Sequence, residues 1–228
     1  MRQISISVDL RHLFGPARNQ GARPTCAAFA VSDAHAARRG AWAPLSCEYA
    51  FYHAQRRASR PPTMGASLTS LLDVLREDGQ PAESGWPYLA SLPANVAHWV
   101  PPVGIGALFG RNGQGMPHKL DPIIQKLNEG QPVILLSMLS TSFYQPDPQA
   151  VVDPVVGEMP DPEVRHAIIA VGHGSVDGQR ALLARNSWGP KWGDAGHGWL
   201  TERFLDSRLY NAAILLEEID VSTDPVTA

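Results

Sequence analysis

Ile4 to Leu10 alternates apolar and polar residues with the period of two that marks a half-buried strand. The run that follows, GPARNQGARPTC (residues 15–26), holds too much Gly, Pro and Asn for regular structure. From Cys26 to about Arg39 good helix formers take over, with Thr25 at the N-cap position and Gly40 at the stop. Ala27, Ala28, Phe29, Ala30 and Val31 are apolar nearly all round, so this helix is expected to start inside the protein. Two more helices are predicted, Ser46 to about Ala58 and Ser67 to Glu77, the latter stopped by Asp78-Gly79. Residues 80–115 read as loop. A short helix over Asp121–Glu129, with Pro122 in its first turn, precedes the strand-like run PVILLSMLS. Beyond it VRHAIIAVGHG, QRALLARNSWG and GHGWLTERF read as short strands joined by Gly-rich turns. The chain is therefore α+β, helical over residues 1–110 and β-rich over 111–228, with the change falling between 105 and 118.

Composition narrows the class. The 228 residues are 44% hydrophobic and 18% charged, which excludes a disordered chain and permits a large core without metal or disulfide staples. Nineteen basic residues face 22 acidic ones with no block of one sign, so no footprint for nucleic acid is present. No apolar run approaches the roughly 20 residues that span a bilayer, and the first residues lack the apolar core of a secretory signal. A soluble, cytoplasmic protein with neither nucleic-acid nor membrane partner is expected. Cys26 and Cys47, the two cysteines, make no disulfide framework.

Three residues are candidates for chemistry. Cys26 opens a helix, where the backbone dipole and unpaired N–H groups favour thiolate over thiol and can hold an oxyanion. Gln20, six residues earlier across a loop, can supply a second donor. The plain alternative for Cys26 is a small buried apolar residue. His166 opens an apolar strand and can present its ring as a base at the strand's end. Its neighbour in sequence, His173, falls on the opposite strand face, and no Cys pair or HExxH spacing is present, so no metal is expected. Asn186 carries an amide oxygen that can orient an imidazole, and Trp188 beside it can roof that bond from water. A turn Asn next to a core Trp is the plain alternative. Cys26 precedes His166 by 140 residues and Asn186 follows 20 later, the order and spacing of the papain and cathepsin class.

On these blocks the chain resembles a papain-like (C1 family) cysteine peptidase of bacterial type. NQGARPTCAAFA is similar to that family's Gln-loop-Cys block, RHAIIAVGHG to its His block and RNSWGPKWGDAGHGW to its Asn-Ser-Trp-Gly block. LSCEYAFY, GASLTSLLDVLREDGQPAESGWPY and LNEGQPVILLSML resemble the connecting segments. The resemblance implies a two-domain fold, a helical N-terminal domain with Cys26 and a β-barrel-like C-terminal domain with His166 and Asn186, the active site in the cleft between. It implies hydrolysis of a peptide or protein substrate through a thiolate nucleophile and an acyl-enzyme, without cofactor. In that scheme Cys26, His166, Asn186 and Gln20 are catalytic, Trp188 is a shield at the substrate site and Gly65 lines the path of the substrate backbone. Two alternatives stay open: a transpeptidase using the same residues, and an inactive peptide-binding homologue.

Departures from the family pattern carry their own expectations. Arg23-Pro24-Thr25-Cys26-Ala27 stands where the family has Cys-Gly-Ser-Cys-Trp, so the aromatic residue after the nucleophile and the upstream cysteine are both replaced. His53 takes the approximate place of that cysteine's partner. The usual disulfide is thus absent, which suits a reducing compartment, and Cys47 is expected to be a buried thiol. ISISVDLR, shortly before Gln20, resembles the start of a mature enzyme, so no inhibitory pro-segment is expected and restraint falls to compartment, narrow specificity or a protein inhibitor or regulator. Three lysines against 16 arginines and frequent alanine hint at a GC-rich bacterial source.

Overall fold

The structure, a computed structural model, describes residues 1–221. In chain order its elements are β1 (Ile4–Asp9), α1 (Cys26–Ala37), α2 (Cys47–Arg57), α3 (Leu68–Glu77), β2 (Gly110–Met116), α4 (Leu120–Asn128), β3 (Val133–Leu139) and α5 (Thr141–Tyr144). Then come β4 (Val151–Val152), β5 (Asp161–Val176), β6 (Gln179–Arg185), β7 (His197–Thr201), α6 (Glu202–Asp206) and β8 (Leu209–Ile219). By contact the described residues form two units, Met1–Gly21 with Gly115–Ile214, and Ala22–Gln114 with residues 215–221. This replaces the single cut at 110/111 with a discontinuous division. The cause is pairing: β1 hydrogen-bonds antiparallel to β5, from Ile4↔Val176 to Asp9↔Gly172, which ties the N-terminus to the β-rich unit.

In the helical unit α1 is buried along nearly all its length, from Ala27 to Ala37, as its unbroken apolar start foretold. Ser46 and Ser67 cap α2 and α3, their hydroxyls accepting from the Tyr49 and Ser70 backbone N–H groups at 3.1 Å. Gly79 ends α3 with φ +66°, a conformation that costs glycine nothing sterically. Gln80 then joins two helices: its Nε2 donates to Ser32 Oγ of α1 at 2.5 Å and to the Ser46 carbonyl at 2.8 Å. Its Oε1 lies 3.1 Å from Nδ1 of the fully buried His35.

Burial pushes the His35 imidazole down to about 3, against the Gln80 hydrogen bond that opposes the shift. An unfolded histidine titrates near 6.5, so the unfolded chain takes up the proton first as pH falls. The stabilisation is whole above pH 6.5 and drains away between about 6.5 and 3. At pH 5 His35 alone is expected to remove roughly 2 kcal/mol. Urea midpoints at pH 7.5 and pH 5 for the wild type and for His35→Gln test this. A variant with the same pH dependence as the wild type would rule it out.

The β-rich unit is built on β5, whose 16 residues change partners along their length. Its first part pairs with β3, from Leu139↔Asp161 to Val133↔Ala170, and its second part with β6, from Ile169↔Arg185 to Val176↔Gln179. β1 takes the remaining edge of the second part, at a spacing that only glycine permits. A Cβ on Gly172 would stand 2.3 Å from the Val8 carbonyl oxygen, and one on Gly174 2.0 Å from that of Ser5. The glycines of the sequence AVGHG are therefore there for the neighbouring strand. β6 pairs with β7, and β7 with the two-residue β4.

The strand path runs β2-β8-β3-β5-β6-β7-β4 and is open. A barrel-like closure was expected; instead the path ends at β4, too short to offer more than two paired residues. β2 begins within the loop expected over residues 80–115, and β8 is a strand for which the sequence carried no expectation. LYNAAILLEEI has a short apolar run that fits a buried strand or a helix equally well by period, and GRNGQGM is Gly-rich like a turn. Among the described residues no helix is long and apolar enough to cross a membrane.

Candidate active site

His166 and Asn186 are brought together by adjacent strands. His166 sits on β5 opposite Ser137 of β3, and Asn186 directly follows Arg185, the last residue of β6, which pairs with Ile169. Both side chains are buried, and His166 Nε2 lies 2.7 Å from Asn186 Oδ1. The same oxygen accepts the Ser187 backbone N–H at 2.8 Å. That second bond identifies the atom as the carbonyl oxygen, so Nε2 must be the protonated nitrogen that donates. The lone pair of neutral His166 then resides on Nδ1, the nitrogen left for proton transfer. Burial pushes the imidazole down to about 4, with the Asn186 hydrogen bond opposing. A neutral ring is the resting form at pH 7 unless a negative charge reaches it.

Aromatic rings enclose this pair. Trp188 lies 4.8 Å from the His166 ring at 42°, and Tyr144 stacks on Trp188 at 5.4 Å. Phe143, fully buried, meets His166 edge-on at 5.6 Å and Trp188 at 5.3 Å. Phe143 also sends its backbone carbonyl to Trp192 Nε1 at 2.9 Å. Trp188 thus lies over the His166 ring. Phe143, which supports the roof from below, had no mark in the sequence beyond an aromatic pair in a proline-rich stretch.

Gln20 belongs to the same unit. Its backbone N–H donates to the Ser187 carbonyl at 2.8 Å, and Ser187 Oγ donates to its Oε1 at 2.7 Å. With the amide oxygen so engaged, Nε2 is the end of the carboxamide that can meet a developing negative charge. The loop before Gln20 is tied down by Arg185, whose guanidinium donates to the Gly15 and Pro16 carbonyls, both at 2.8 Å. Ser187 thus orients two of the expected residues, one through its backbone and one through its hydroxyl. Its position between Asn186 and Trp188 was the only sequence signal for it.

Cys26 and Gly65 lie in the helical unit. Cys26 is the first residue of α1 and half-buried, while Cys47 is the first residue of α2 and fully buried; neither is in a disulfide. Thr25 holds the N-cap position without a side-chain cap bond; its hydroxyl lies 3.0 Å from the Tyr88 hydroxyl instead. Gly65 is exposed in the loop after α2, and a Cβ there would sit 3.7 Å from the Pro24 carbonyl oxygen. That loop is braced by Gln55, whose Nε2 donates to the Pro61 and Met64 carbonyls at 2.6 and 2.7 Å. His53 faces Asp78 at 3.7 Å and the rings of Tyr49 and Tyr52.

Comparison with known proteins bears on the sequence and the fold. The model of the papain family cysteine protease matches residues 110–209, a stretch that holds His166 and Asn186. A probable cysteine protease of Arabidopsis thaliana, RDL6, is 46% identical over 43 residues, 19% of this chain and 12% of its own length. Chymopapain of Carica papaya is 50% identical over 32 residues, 14% of this chain and 9% of its own. The chain thus matches only a small part of the length of these curated relatives. Among solved structures, xylellain, a cysteine protease from Xylella fastidiosa, superposes with a TM-score of 0.74 at 19% identity, covering 93% of this chain and 86% of that one. The ragweed pollen allergen Amb a 11, a cysteine protease in its proform, reaches 0.74 at 21% identity over 94% of this chain and 66% of that one. The chain therefore has a papain-like fold over more than nine-tenths of its length, and residues 110–209 match the papain family cysteine protease model.

Proposed function

We propose that this chain is a cysteine peptidase in which Cys26 is the nucleophile and His166 its acid–base partner. The observation that carries the reading is the His166–Asn186–Ser187 bonding, which leaves Nδ1 as the working nitrogen under the Trp188 roof. The reading requires Cys26 and His166 to meet in turnover. The thiol proton then passes to Nδ1, and the thiolate negative charge offsets the burial that otherwise keeps the ring neutral. The thiolate adds to the substrate carbonyl carbon, and the oxyanion is held by the Cys26 backbone N–H and Gln20 Nε2. Collapse of this intermediate breaks the C–N bond as the imidazolium hands its proton to the leaving amine. Water, deprotonated by the same nitrogen, clears the thioester and releases the acid. An amine in place of water would give transpeptidation through the same residues.

An epoxysuccinyl peptide tests the reading. It is expected to add its mass once per chain, on the tryptic peptide carrying Cys26, with loss of peptide hydrolysis in step. Label on the buried Cys47, or full turnover in the labelled protein, would end the proposal. The rate of labelling against pH is expected to follow two apparent values belonging to the thiol–imidazole pair rather than to either residue.

A further inference from the structure

Three residues before Cys26 the helical unit buries a charge. Arg23 is 7% exposed and Glu48, on α2, is 0% exposed. The two form a fork: Nη1 donates to Oε2 at 2.6 Å and Nη2 to Oε1 at 2.9 Å. Nη1 also donates to the Leu89 carbonyl at 2.6 Å. Glu48 further accepts the Leu89 N–H at 3.0 Å and Trp99 Nε1 at 2.6 Å. The guanidinium lies against the rings of Phe51, Tyr88 and Trp99, 5.2–6.0 Å from their centroids.

Burying two charges brings little stability over two apolar residues of the same volume, because desolvation cancels most of the attraction. What a forked pair has that an apolar pair lacks is direction, since each oxygen must face its own nitrogen. Here that direction is imposed on the chain entering α1. Pro24 follows with its φ held by the ring, the Thr25 N–H bonds the Arg23 carbonyl at 2.8 Å, and the Thr25 hydroxyl bonds Tyr88. The same Tyr88 meets Phe29 edge-on at 4.8 Å, one turn into the helix. No side-chain cap holds the start of α1.

We propose that Arg23 and Glu48 act as a positioning clamp for Cys26, fixing its sulfur against the N-terminal N–H groups of α1. This rests on the reading of Cys26 as the nucleophile. Neither residue touches substrate; both act through the backbone of residues 23–26. Loss of the clamp leaves the thiol present but turned from its productive direction and less exposed to the helix dipole.

The test uses Arg23→Met/Glu48→Gln, which removes both charges and keeps an acceptor for Trp99, and Arg23→Lys, which keeps the charge without the fork. Folding is followed by circular dichroism and urea midpoint. Wild type is labelled first, by the epoxysuccinyl peptide and by iodoacetamide, with the label mapped by mass. In folded double variant, epoxysuccinyl labelling of Cys26 at pH 7 is expected to slow by roughly 10–100-fold, and the iodoacetamide profile to move to higher pH. Arg23→Lys is expected to change both in the same direction, and it decides the matter if the double variant does not fold. A folded variant with wild-type labelling rates and pH profile overturns the clamp. Absence of label on Cys26 in wild type defeats the nucleophile reading itself, before any variant is made, and the clamp falls with it.

Discussion

Cys26→Ala is expected to lower peptide hydrolysis by roughly 10⁵–10⁶-fold, the loss seen when a covalent nucleophile is removed and only binding and oxyanion contacts remain. Stability is expected to stay within about 0.5 kcal/mol of wild type. The side chain is half-buried at the first position of α1, alanine is the best helix former, and the N–H groups at the helix start do not depend on the sulfur. The two halves of the expectation are separable. Turnover measured with a fluorogenic peptide reports the first, and a urea titration the second. Activity within tenfold of wild type would mean that some other group attacks the substrate. A large fall in the urea midpoint would make any activity loss uninformative about mechanism, and would favour the plain reading of Cys26 as a packing residue.

Phe143→Ala is expected to destabilise the β-rich unit by about 3–5 kcal/mol, the range for a buried aromatic truncated to alanine. The ring is fully buried and touches four others: His166 and Trp188 edge-on, Trp192 at 5.0 Å and Phe204 at 6.0 Å. α5, which carries it, has four residues and little stability of its own, so its place depends on this ring. The Trp192 bond goes to the Phe143 backbone carbonyl and survives in name, yet the carbonyl loses the packing that aims it. Phe143→Leu, nearer in volume, is expected to cost about 1 kcal/mol. Urea midpoints rank the three proteins, and near-ultraviolet circular dichroism of the indoles shows whether the Trp188 roof loosens. An alanine variant as stable as wild type would show that the cluster relaxes around the gap.

Helices α1, α2 and α3 were legible because their signals are short-range. Ser46 and Ser67 cap within one turn, and Gly79 stops α3 by its own backbone conformation. His166 and Asn186 were legible as candidates from their residue types and their order behind Cys26; the structure adds that two strands of a hairpin bring these positions into hydrogen-bond reach. β8 was not legible: the apolar run Ala212–Leu216 is ambiguous by period, and what makes it a strand is β3 beside it, from Ile134↔Ala213 to Ser137↔Leu209. Phe143 was not legible either, since a ring in a proline-rich segment acquires meaning only from the rings that surround it. Arg23 stood out as a departure from the family pattern, but it lies in the loop before α1 and its partner Glu48 is 25 residues away on α2.

The residue types able to do chemistry, and the helices and strands that carry them, could be read along the chain, because capping, periodicity and turn chemistry act over a few residues. Folding assigned what those types then do. It aimed the Nε2–H of His166 at Asn186 Oδ1, turned the oxygen of Gln20 to Ser187 and matched Arg23 with Glu48. It also placed the N-terminal strand on β5, where glycines leave room for it. Hydrogen-bond direction and close packing depend on atoms that come together only when distant segments meet, and a linear pattern of residue types does not contain them.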